Sequence, residues 1–198
     1  MIAIVDYKAG NLASVKKAFD RLGFAAGIAG NPAVVREAGR IVLPGVGHFS
    51  TMRRLADSGM RDAIQDAIMR GVPFLGICLG MQWLFEGSTE SPEVKGLGLF
   101  DGMCERFPEG VKSPHVGWND MSPRARSRLF AGVPHEAFVY FTHSYRAPVV
   151  NDVVATTNYG GPFAAAVERE NVFGVQFHPE KSGDAGLQIL KNFCEAAC

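Results

Sequence analysis

One cysteine, Cys78, stands in a setting typical of a catalytic nucleophile. The apolar stretch Val72 to Ile77 before it predicts a buried strand, and a predicted helix from Leu79 to Glu86 follows. Gly76 and Gly80 flank the cysteine in the pattern of a nucleophile elbow, with cysteine in place of serine. A sulfur at a helix N-terminus is favoured as the thiolate. The alternative is a buried free cysteine on a core strand.

The segment VFGVQFHPE near the other end of the chain could activate such a nucleophile. Val172 to Phe177 predicts a buried strand that leads directly into His178, Pro179 and Glu180. A cysteine nucleophile needs a base, and the base needs a group that orients it. Residues two apart in an extended segment point to the same side, so His178 and Glu180 can act in that order. We therefore expect a catalytic triad of these two residues with Cys78.

The elements that must bring these residues together alternate between short apolar strands and helical patterns. The predicted strands outside the two motifs are Ile2 to Asp6, Ile41 to Leu43, Val139 to Thr142, Val153 to Asn158 and Phe163 to Glu168. The predicted helices begin at Leu12 and at the Asn31-Pro32 pair, and two more, broken at Ser58-Gly59, lie between Phe49 and Arg70. A last helix covers roughly Ala185 to Ala196. This order predicts an α/β fold, with a central, largely parallel mixed sheet covered by helices on both faces. We expect a single domain over residues 1–198.

In open α/β sheets the active site forms beyond the carboxyl ends of the strands. The loop Pro44 to Gly47, with sequence PGVG, follows a predicted strand in the same way as Cys78 does. Its backbone N–H groups, with that of Leu79, could form an oxyanion hole for a substrate carbonyl. The loop lacks the pattern of a nucleotide-binding P-loop.

The overall composition excludes several other classes of protein. Twenty basic and twenty acidic residues balance without a charge run, which gives no indication of nucleic-acid or membrane binding. The four cysteines lack C-x-x-C spacing and the five histidines lack metal-ligand spacing. The N-terminal residues do not form a signal-peptide pattern. We therefore expect a cytoplasmic protein without a metal site or structural disulfides.

Together, GICLGMQ and GVQFHPEKS resemble the motifs of the class I, triad-type glutamine amidotransferases. Further segments resemble one subfamily, the glutaminase subunits of imidazole glycerol phosphate synthase in histidine biosynthesis. These segments are DYKAGNLASV, PGVGHF, KGLGLF, PHVGWN, YFTHSY and NYGGPFAAAV, which span nearly the whole chain. The resemblance implies the class I glutamine amidotransferase fold and hydrolysis of glutamine to glutamate and ammonia through a cysteine thioester. No cofactor is implied.

The resemblance also assigns roles to individual positions. It implies that Gln82, Glu90 and the backbone of His143, Ser144 and Tyr145 hold the substrate glutamine. In that assignment Glu90 lies near the α-ammonium group. The same resemblance implies that the oxyanion hole uses Val46 and Gly47 together with Leu79.

The chain contains no second catalytic motif that could use ammonia, so a partner is expected. The resemblance implies a (β/α)8-barrel cyclase subunit in a heterodimer. That subunit would form imidazole glycerol phosphate and aminoimidazole carboxamide ribonucleotide. By the same analogy the interface includes Asn11, Trp118, Asn119, Tyr140 and Lys181.

Other functions are compatible with parts of this pattern. A cysteine amidase or peptidase could use the same elbow, and the glutaminase of pyridoxal phosphate synthesis also has a Cys-His-Glu triad in a chain of this size. A catalytically inactive interaction module is a third alternative. The sequence does not assign a role to His48, Cys104 or Cys198.

Overall fold

The computed structural model describes residues 1–124 and 127–196. Its strands are β1 Ile2–Val5, β2 Ala26–Ala29, β3 Arg40–Gly45, β4 Phe74–Cys78, β5 Gly87–Ser88, β6 Met103–Arg106, β7 His115–Asp120, β8 Ser122–Pro123, β9 Phe138–His143, β10 Tyr145–Arg146, β11 Val153–Asn158, β12 Pro162–Arg169 and β13 Val172–Val175. Its helices are α1 Leu12–Arg21, α2 Pro32–Arg36, α3 Arg53–Asp57, α4 Met60–Met69, α5 Leu79–Gln82 and α6 Gly183–Glu195. Short 3-10 turns cover Phe49–Met52 and Pro179–Lys181.

The largest sheet formed by the described residues has the strand order β2-β1-β3-β4-β13-β12-β11-β8. The strands from β2 to β13 in this order are parallel, whereas β12, β11 and β8 are added antiparallel. The nucleophile strand β4 and the strand β13 that precedes His178 are therefore direct neighbours. The predicted α/β fold with a largely parallel mixed sheet is confirmed.

Side chains of the central strands alternate between two apolar cores, one on each face of the sheet. On β1, Ala3 and Val5 join the core formed with α2 and α4, whereas Ile2 and Ile4 join the core formed with α1 and α6. This alternation follows from the period of two along a strand. Because both faces are covered, the parallel strands are apolar on both sides, which explains their continuous hydrophobic runs.

Helices α1 and α2 begin where the sequence predicts them, and an asparagine side chain caps each one. The side chain of Asn11 accepts a hydrogen bond from the backbone N–H of Ser14 at the start of α1, at 3.3 Å. The side chain of Asn31 does the same for Val34 at the start of α2, at 3.1 Å, and Pro32 occupies the first turn. Both caps satisfy backbone donors that have no acceptor within the helix.

The prediction of a strand that ends at Pro44 is wrong, because β3 continues to Gly45 and pairs with β4 from Ile41 to Gly45. A proline is tolerated there because the pairing of β3 with β1 already ends at Val42. The continuation brings Gly45 opposite Cys78 in the register. It therefore places the PGVG loop beside the nucleophile.

The predicted helix from Leu79 to Glu86 is also wrong in its length, because α5 ends at Gln82. Trp83, Leu84 and Phe85 are buried in the core, and their carbonyl groups accept hydrogen bonds from residues 97–100. The backbone N–H groups of the KGLGLF segment thus donate to the carbonyl groups to which the next helical turn would otherwise donate. This competition comes from residues distant in sequence, which a local helical pattern does not include.

An antiparallel ribbon of β7 and β9 packs outside the main sheet. Of its strands the sequence predicted only β9, since β7 contains His115, Gly117, Asn119 and Asp120, which are poor strand formers or polar. Thr142 and His143 at the end of β9 reach the neighbourhood of Cys78. The ribbon therefore forms one wall of the site.

Candidate active site

Cys78 occupies a sharp turn between β4 and α5. It has a φ of +54°, which an L residue adopts only where the surroundings enforce it. The two flanking glycines make the turn possible, because a Cβ at Gly76 would lie 2.5 Å from the carbonyl oxygen of Gly80. A Cβ at Gly80 would in turn overlap the carbonyl oxygen of Leu43. The elbow thus requires glycine on both sides of the nucleophile.

His178 and Glu180 form a buried pair behind the cysteine. Nδ1 of His178 is 2.8 Å from Oε1 of Glu180, and the two side chains are 2% and 1% exposed. Ser182 fixes the turn that carries them, since its hydroxyl donates to the carbonyl of His178 at 2.6 Å and accepts from the backbone N–H of Tyr140 at 3.0 Å. The turn is thereby attached to β9 of the ribbon.

Cys78 and Glu180 both act on the imidazole ring of His178. Burial by itself lowers the pKa of His178, but the interactions of the ring with Cys78 and with the Glu180 carboxylate outweigh this effect and raise the pKa to about 10. Because Nδ1 is held by Glu180, the other ring nitrogen is available for proton transfer. This atom, Nε2, is buried and has no hydrogen-bond partner among the described residues. The arrangement supplies a cysteine, a base and an orienting carboxylate.

A cavity of about 520 Å³ opens in front of Cys78. All the residues that the resemblance assigned to substrate binding and to the oxyanion hole line this cavity. They are Val46, Gly47, Leu79, Gln82, Glu90, His143, Ser144 and Tyr145. The size is within the range of small-molecule sites.

The positions expected for the oxyanion hole lie on two separate backbone segments that line the cavity with Cys78. Leu79 is the first residue of α5, where a backbone N–H has no acceptor within the helix. Gly47 has a φ of +103°, a conformation that favours glycine, and Val46 is partly exposed at the cavity. Two backbone segments therefore meet at the cysteine, as acyl transfer requires.

Glu90 links the lining of the cavity to the segment that follows the PGVG loop. Its Oε2 atom accepts a hydrogen bond of 2.6 Å from the backbone N–H of Phe49, which opens the 3-10 turn directly after the loop. Nearby, His48 is exposed, and its Nδ1 atom lies 2.9 Å from the hydroxyl of Ser50 and 3.3 Å from that of Ser91. A carboxylate at this position can attract a substrate ammonium group while it holds the loop.

His143 lies near the site but is not arranged as a base. Its Nδ1 atom donates to the carbonyl oxygen of Tyr145 at 2.8 Å, so its Nε2 atom must accept the hydrogen bond of 3.1 Å from Nδ1 of His115. Burial lowers the pKa of His143 to about 3 and that of His115 to about 4. Both ring nitrogens of His143 are used and the ring stays neutral, which favours His178 over His143 as the candidate base.

The five positions expected at a partner interface differ in their surroundings. Trp118 is 56% exposed and packs edge-on against Tyr140, and the ammonium group of Lys181 lies 5.7 Å from the centre of the Tyr140 ring. Asn119 instead points inward, towards His115 and the carbonyl of Asn158. The side chain of Asn11 caps α1, as described above. The structure thus brings three of the five to one exposed face.

Two further cysteines lie within the described residues. Cys104 and Cys194 are free and buried. Burial raises the pKa of the Cys104 thiol, and it raises the pKa of the Cys194 thiol to about 12. Cys198 lies outside the described residues. Within residues 1–124 and 127–196 there is no cluster of metal-ligating side chains. No helix in these residues is long and apolar enough to cross a membrane.

Sequence reasoning did not identify Gln176 as a site residue. It is fully buried directly after β13, and its Nε2 atom lies 3.6 Å from the sulfur of Cys78. A signal was present, because an amide in an otherwise apolar buried strand requires hydrogen-bond partners. Its spacing of two from His178 also places both side chains on one side of the chain.

Comparison with known proteins gives the family. Residues 3–197 match the family Glutamine amidotransferase class-I. The chain is 48% identical to the "Imidazole glycerol phosphate synthase subunit HisH" of Moorella thermoacetica, over 98% of this chain and 94% of the relative. It is 49% identical to the protein of the same name from Methanothermobacter thermautotrophicus, over 98% of both chains.

Solved structures show the same fold at low sequence identity. A structure titled "Crystal structure of glutamine amidotransferase" has a TM-score of 0.78 at 20% identity and covers 98% of both chains. "Structure of PurLQS from Thermotoga maritima" has a TM-score of 0.75 at 21% identity and covers 98% of this chain and 97% of that one. The sequence match, the fold and the geometry around Cys78 agree: this chain belongs to the class I glutamine amidotransferase family.

Proposed function

We propose that this chain is the glutaminase subunit of an imidazole glycerol phosphate synthase, which hydrolyses glutamine and passes the ammonia to a cyclase subunit. The observation that carries the proposal is the buried pair of His178 and Glu180 next to Cys78, which lines a cavity together with Glu90. The identity of about half to relatives named HisH supports the same assignment.

In the proposed reaction the Cys78 thiolate attacks the side-chain amide carbon of glutamine. Backbone N–H groups of Leu79 and of the Val46–Gly47 segment stabilise the oxyanion. Removal of one such donor typically raises the activation free energy by about 2.7–4 kcal/mol. The carbon–nitrogen bond breaks, and His178 gives the leaving ammonia the proton that it took from the thiol. Water, deprotonated by His178, then hydrolyses the thioester to glutamate, and the sulfur is regenerated.

Glutamine binding would use the charged ends of the amino acid. Glu90 would receive the α-ammonium group, and the backbone of Ser144 and Tyr145 forms part of the wall of the same cavity. Gln82 contributes to this wall through a hydrogen bond of 2.8 Å from its amide nitrogen to the carbonyl of Tyr145. A carboxylate at this position favours a substrate with a free α-ammonium group, which a free amino acid has and an internal peptide residue lacks.

We propose a (β/α)8-barrel cyclase as the partner, in a heterodimer that forms imidazole glycerol phosphate and aminoimidazole carboxamide ribonucleotide. The exposed face of the β7–β9 ribbon supports this, since Val116, Trp118 and Phe138 are all more than half exposed there. Large exposed apolar groups next to an active site are typical of an interaction surface. We also propose a cytoplasmic location, which fits the free thiols of the described cysteines.

Glutamine hydrolysis by the chain alone and with a purified cyclase plus its nucleotide ligand tests the function. We expect ammonia release from glutamine in the complex, and we expect Cys78→Ala to abolish it while the complex still uses added ammonium. Glutamine turnover by the folded Cys78→Ala variant would refute the assignment of the nucleophile. Peptide hydrolysis without a requirement for glutamine would favour the cysteine peptidase alternative.

The partner surface can be tested separately. Because a buried tryptophan commonly contributes 2 kcal/mol or more to an interface, we expect Trp118→Ala to raise the Kd for the cyclase about 30-fold. Met69→Ala is a matched control, since Met69 is 78% exposed at the end of α4, away from the cavity. Equal affinities of the two variants would exclude this face of the ribbon. Binding to a synthase of pyridoxal phosphate formation instead would favour that alternative.

A further inference from the structure

Gln176 connects the nucleophile to the wall of the substrate cavity. The side chain is fully buried, with its Nε2 atom 3.6 Å from the sulfur of Cys78 and its Oε1 atom 3.0 Å from Nε2 of Gln82. Neither the family motifs nor the proposed mechanism gives this residue a task.

The orientation of the Gln176 amide follows from the hydrogen-bond network. The carbonyl oxygen of Tyr145 can only accept, so the Gln82 atom 2.8 Å from it must be the amide nitrogen. That nitrogen also faces Gln176, and it can only donate. The Gln176 atom that it meets must therefore be the carbonyl oxygen. As a result, the NH2 group of Gln176 faces the sulfur as a donor.

The sulfur itself has a second neighbour, the carbonyl oxygen of Thr142 at 3.9 Å. This oxygen can only accept, and therefore it interacts favourably with the thiol S–H and not with the thiolate. The Gln176 N–H can donate to either form, but a hydrogen bond to a charged acceptor is roughly twice as strong as one to a neutral acceptor. The Thr142 carbonyl therefore favours the neutral thiol. Of these two contacts, only the one from Gln176 favours the thiolate.

We propose that Gln176 is a catalytic residue that donates a hydrogen bond to the Cys78 sulfur, stabilises the thiolate and holds it in line with the substrate wall through Gln82. The inference rests on the proposed glutaminase function for its consequence in turnover. The hydrogen bond itself is a property of the folded chain and can be measured without glutamine.

The test uses Gln176→Met, which keeps the length of the side chain and removes the donor. The rate of Cys78 alkylation by iodoacetamide is measured against pH in the full-length chain, alone and with the cyclase. Loss of a charge-assisted hydrogen bond should raise the midpoint of this profile by about 1 to 2 pH units. At pH values below the wild-type midpoint the alkylation rate should then fall about 10- to 100-fold.

Asn171→Leu is the matched control, because Asn171 is a buried amide at the other end of β13 that donates to the carbonyls of Ile68 and Val72. It should destabilise the fold without a change in the alkylation midpoint. An unchanged midpoint in folded Gln176→Met, or an equal shift in Asn171→Leu, would overturn the inference.

If Gln176→Met does not fold, the wild-type chain provides the test. NMR of the assigned Gln176 side-chain amide should show a shift of one proton as Cys78 titrates, and this shift should be absent in Cys78→Ala. An amide signal that does not respond to the titration would overturn the inference. Failure of glutamine turnover alone would refute the proposed function but would leave both of these measurements valid.

Discussion

Nδ1 of His178 lies 2.8 Å from Oε1 of Glu180, and both side chains are almost completely withdrawn from solvent. An ion pair at this depth depends strongly on the presence of both partners. It also fixes which ring nitrogen of His178 faces Cys78.

Glu180→Gln should lower kcat for glutamine by about 10²- to 10⁴-fold with little change in KM, because a glutamine amide can stabilise the wrong tautomer of His178. Ammonia release in the complex with cyclase measures the effect. Glu93→Gln is a suitable control, since Glu93 is an exposed acid that pairs with Arg53. A Glu180→Gln enzyme with wild-type kcat would contradict the role of this carboxylate as the orienting group.

The protonation of His178 should persist well above the usual range of histidine. Its pKa in the folded chain is raised to about 10 by Cys78 and Glu180, whereas an unfolded histidine titrates near 6.5. Its contribution to stability is therefore complete below about pH 6.5 and is lost as the pH rises through about 10. Nitrogen NMR of the imidazole should detect the charged ring at pH 8 in the wild type.

Removal of the sulfur tests the cause of that shift. In Cys78→Ser the pKa of His178 should fall towards its ordinary value. The free energy of unfolding of this variant should also depend less steeply on pH between 7 and 10 than that of the wild type. If the imidazole of His178 were neutral at pH 8 in the wild type, the raised pKa of this residue would be contradicted.

Glu90→Gln should raise the KM for glutamine about 10- to 100-fold and leave kcat nearly unchanged. The variant loses the charge that would face the substrate ammonium, but its amide oxygen can still accept from the backbone N–H of Phe49. Glu90→Ala removes both functions, and we expect it to lower kcat as well through the PGVG loop. Steady-state kinetics of both variants decide this, and an unchanged KM in each would exclude Glu90 from substrate binding.

Gly80→Ala should destabilise the fold by at least about 2 kcal/mol, because the new Cβ would overlap the carbonyl oxygen of Leu43. Gly30→Ala serves as its control, since a Cβ at Gly30 has no neighbour within 4 Å, and we expect a change within about 0.5 kcal/mol. Urea unfolding measures both variants. Similar stabilities would show that the elbow relaxes without strain.

His115 and His143 should be energetically coupled. His143→Phe leaves the buried Nδ1–H of His115 without its acceptor, which costs about 1–3 kcal/mol. The double variant with His115→Phe removes both partners, so its destabilisation should be smaller than the sum of the two single changes by about 1 kcal/mol or more. Strict additivity in urea unfolding would contradict the tautomer that the hydrogen bonds assign.

The linear sequence determined the fold class and the parts of the site that local rules govern. The period of two in β1 and the caps at Asn11 and Asn31 depend on neighbours in the chain. The G-x-C-x-G elbow does so as well, and such rules can be applied without coordinates. They were sufficient to predict a largely parallel mixed sheet and a cysteine in a sharp turn between a strand and a helix. The pairing of His178 with Glu180 instead occurs in a 3-10 turn and not in the extended segment that the spacing rule assumes.

Only the tertiary structure decided the features that depend on distant partners. The carbonyls of Trp83 and Leu84 bond to the KGLGLF segment, which ends α5 early, and Glu90 reaches the N–H of Phe49 from 41 positions away. The amide of Gln176 faces the sulfur because Tyr145 and Gln82 determine its orientation. Hydrogen bonds of this kind become strong only when folding removes water from both partners, and a sequence pattern contains no information on that burial.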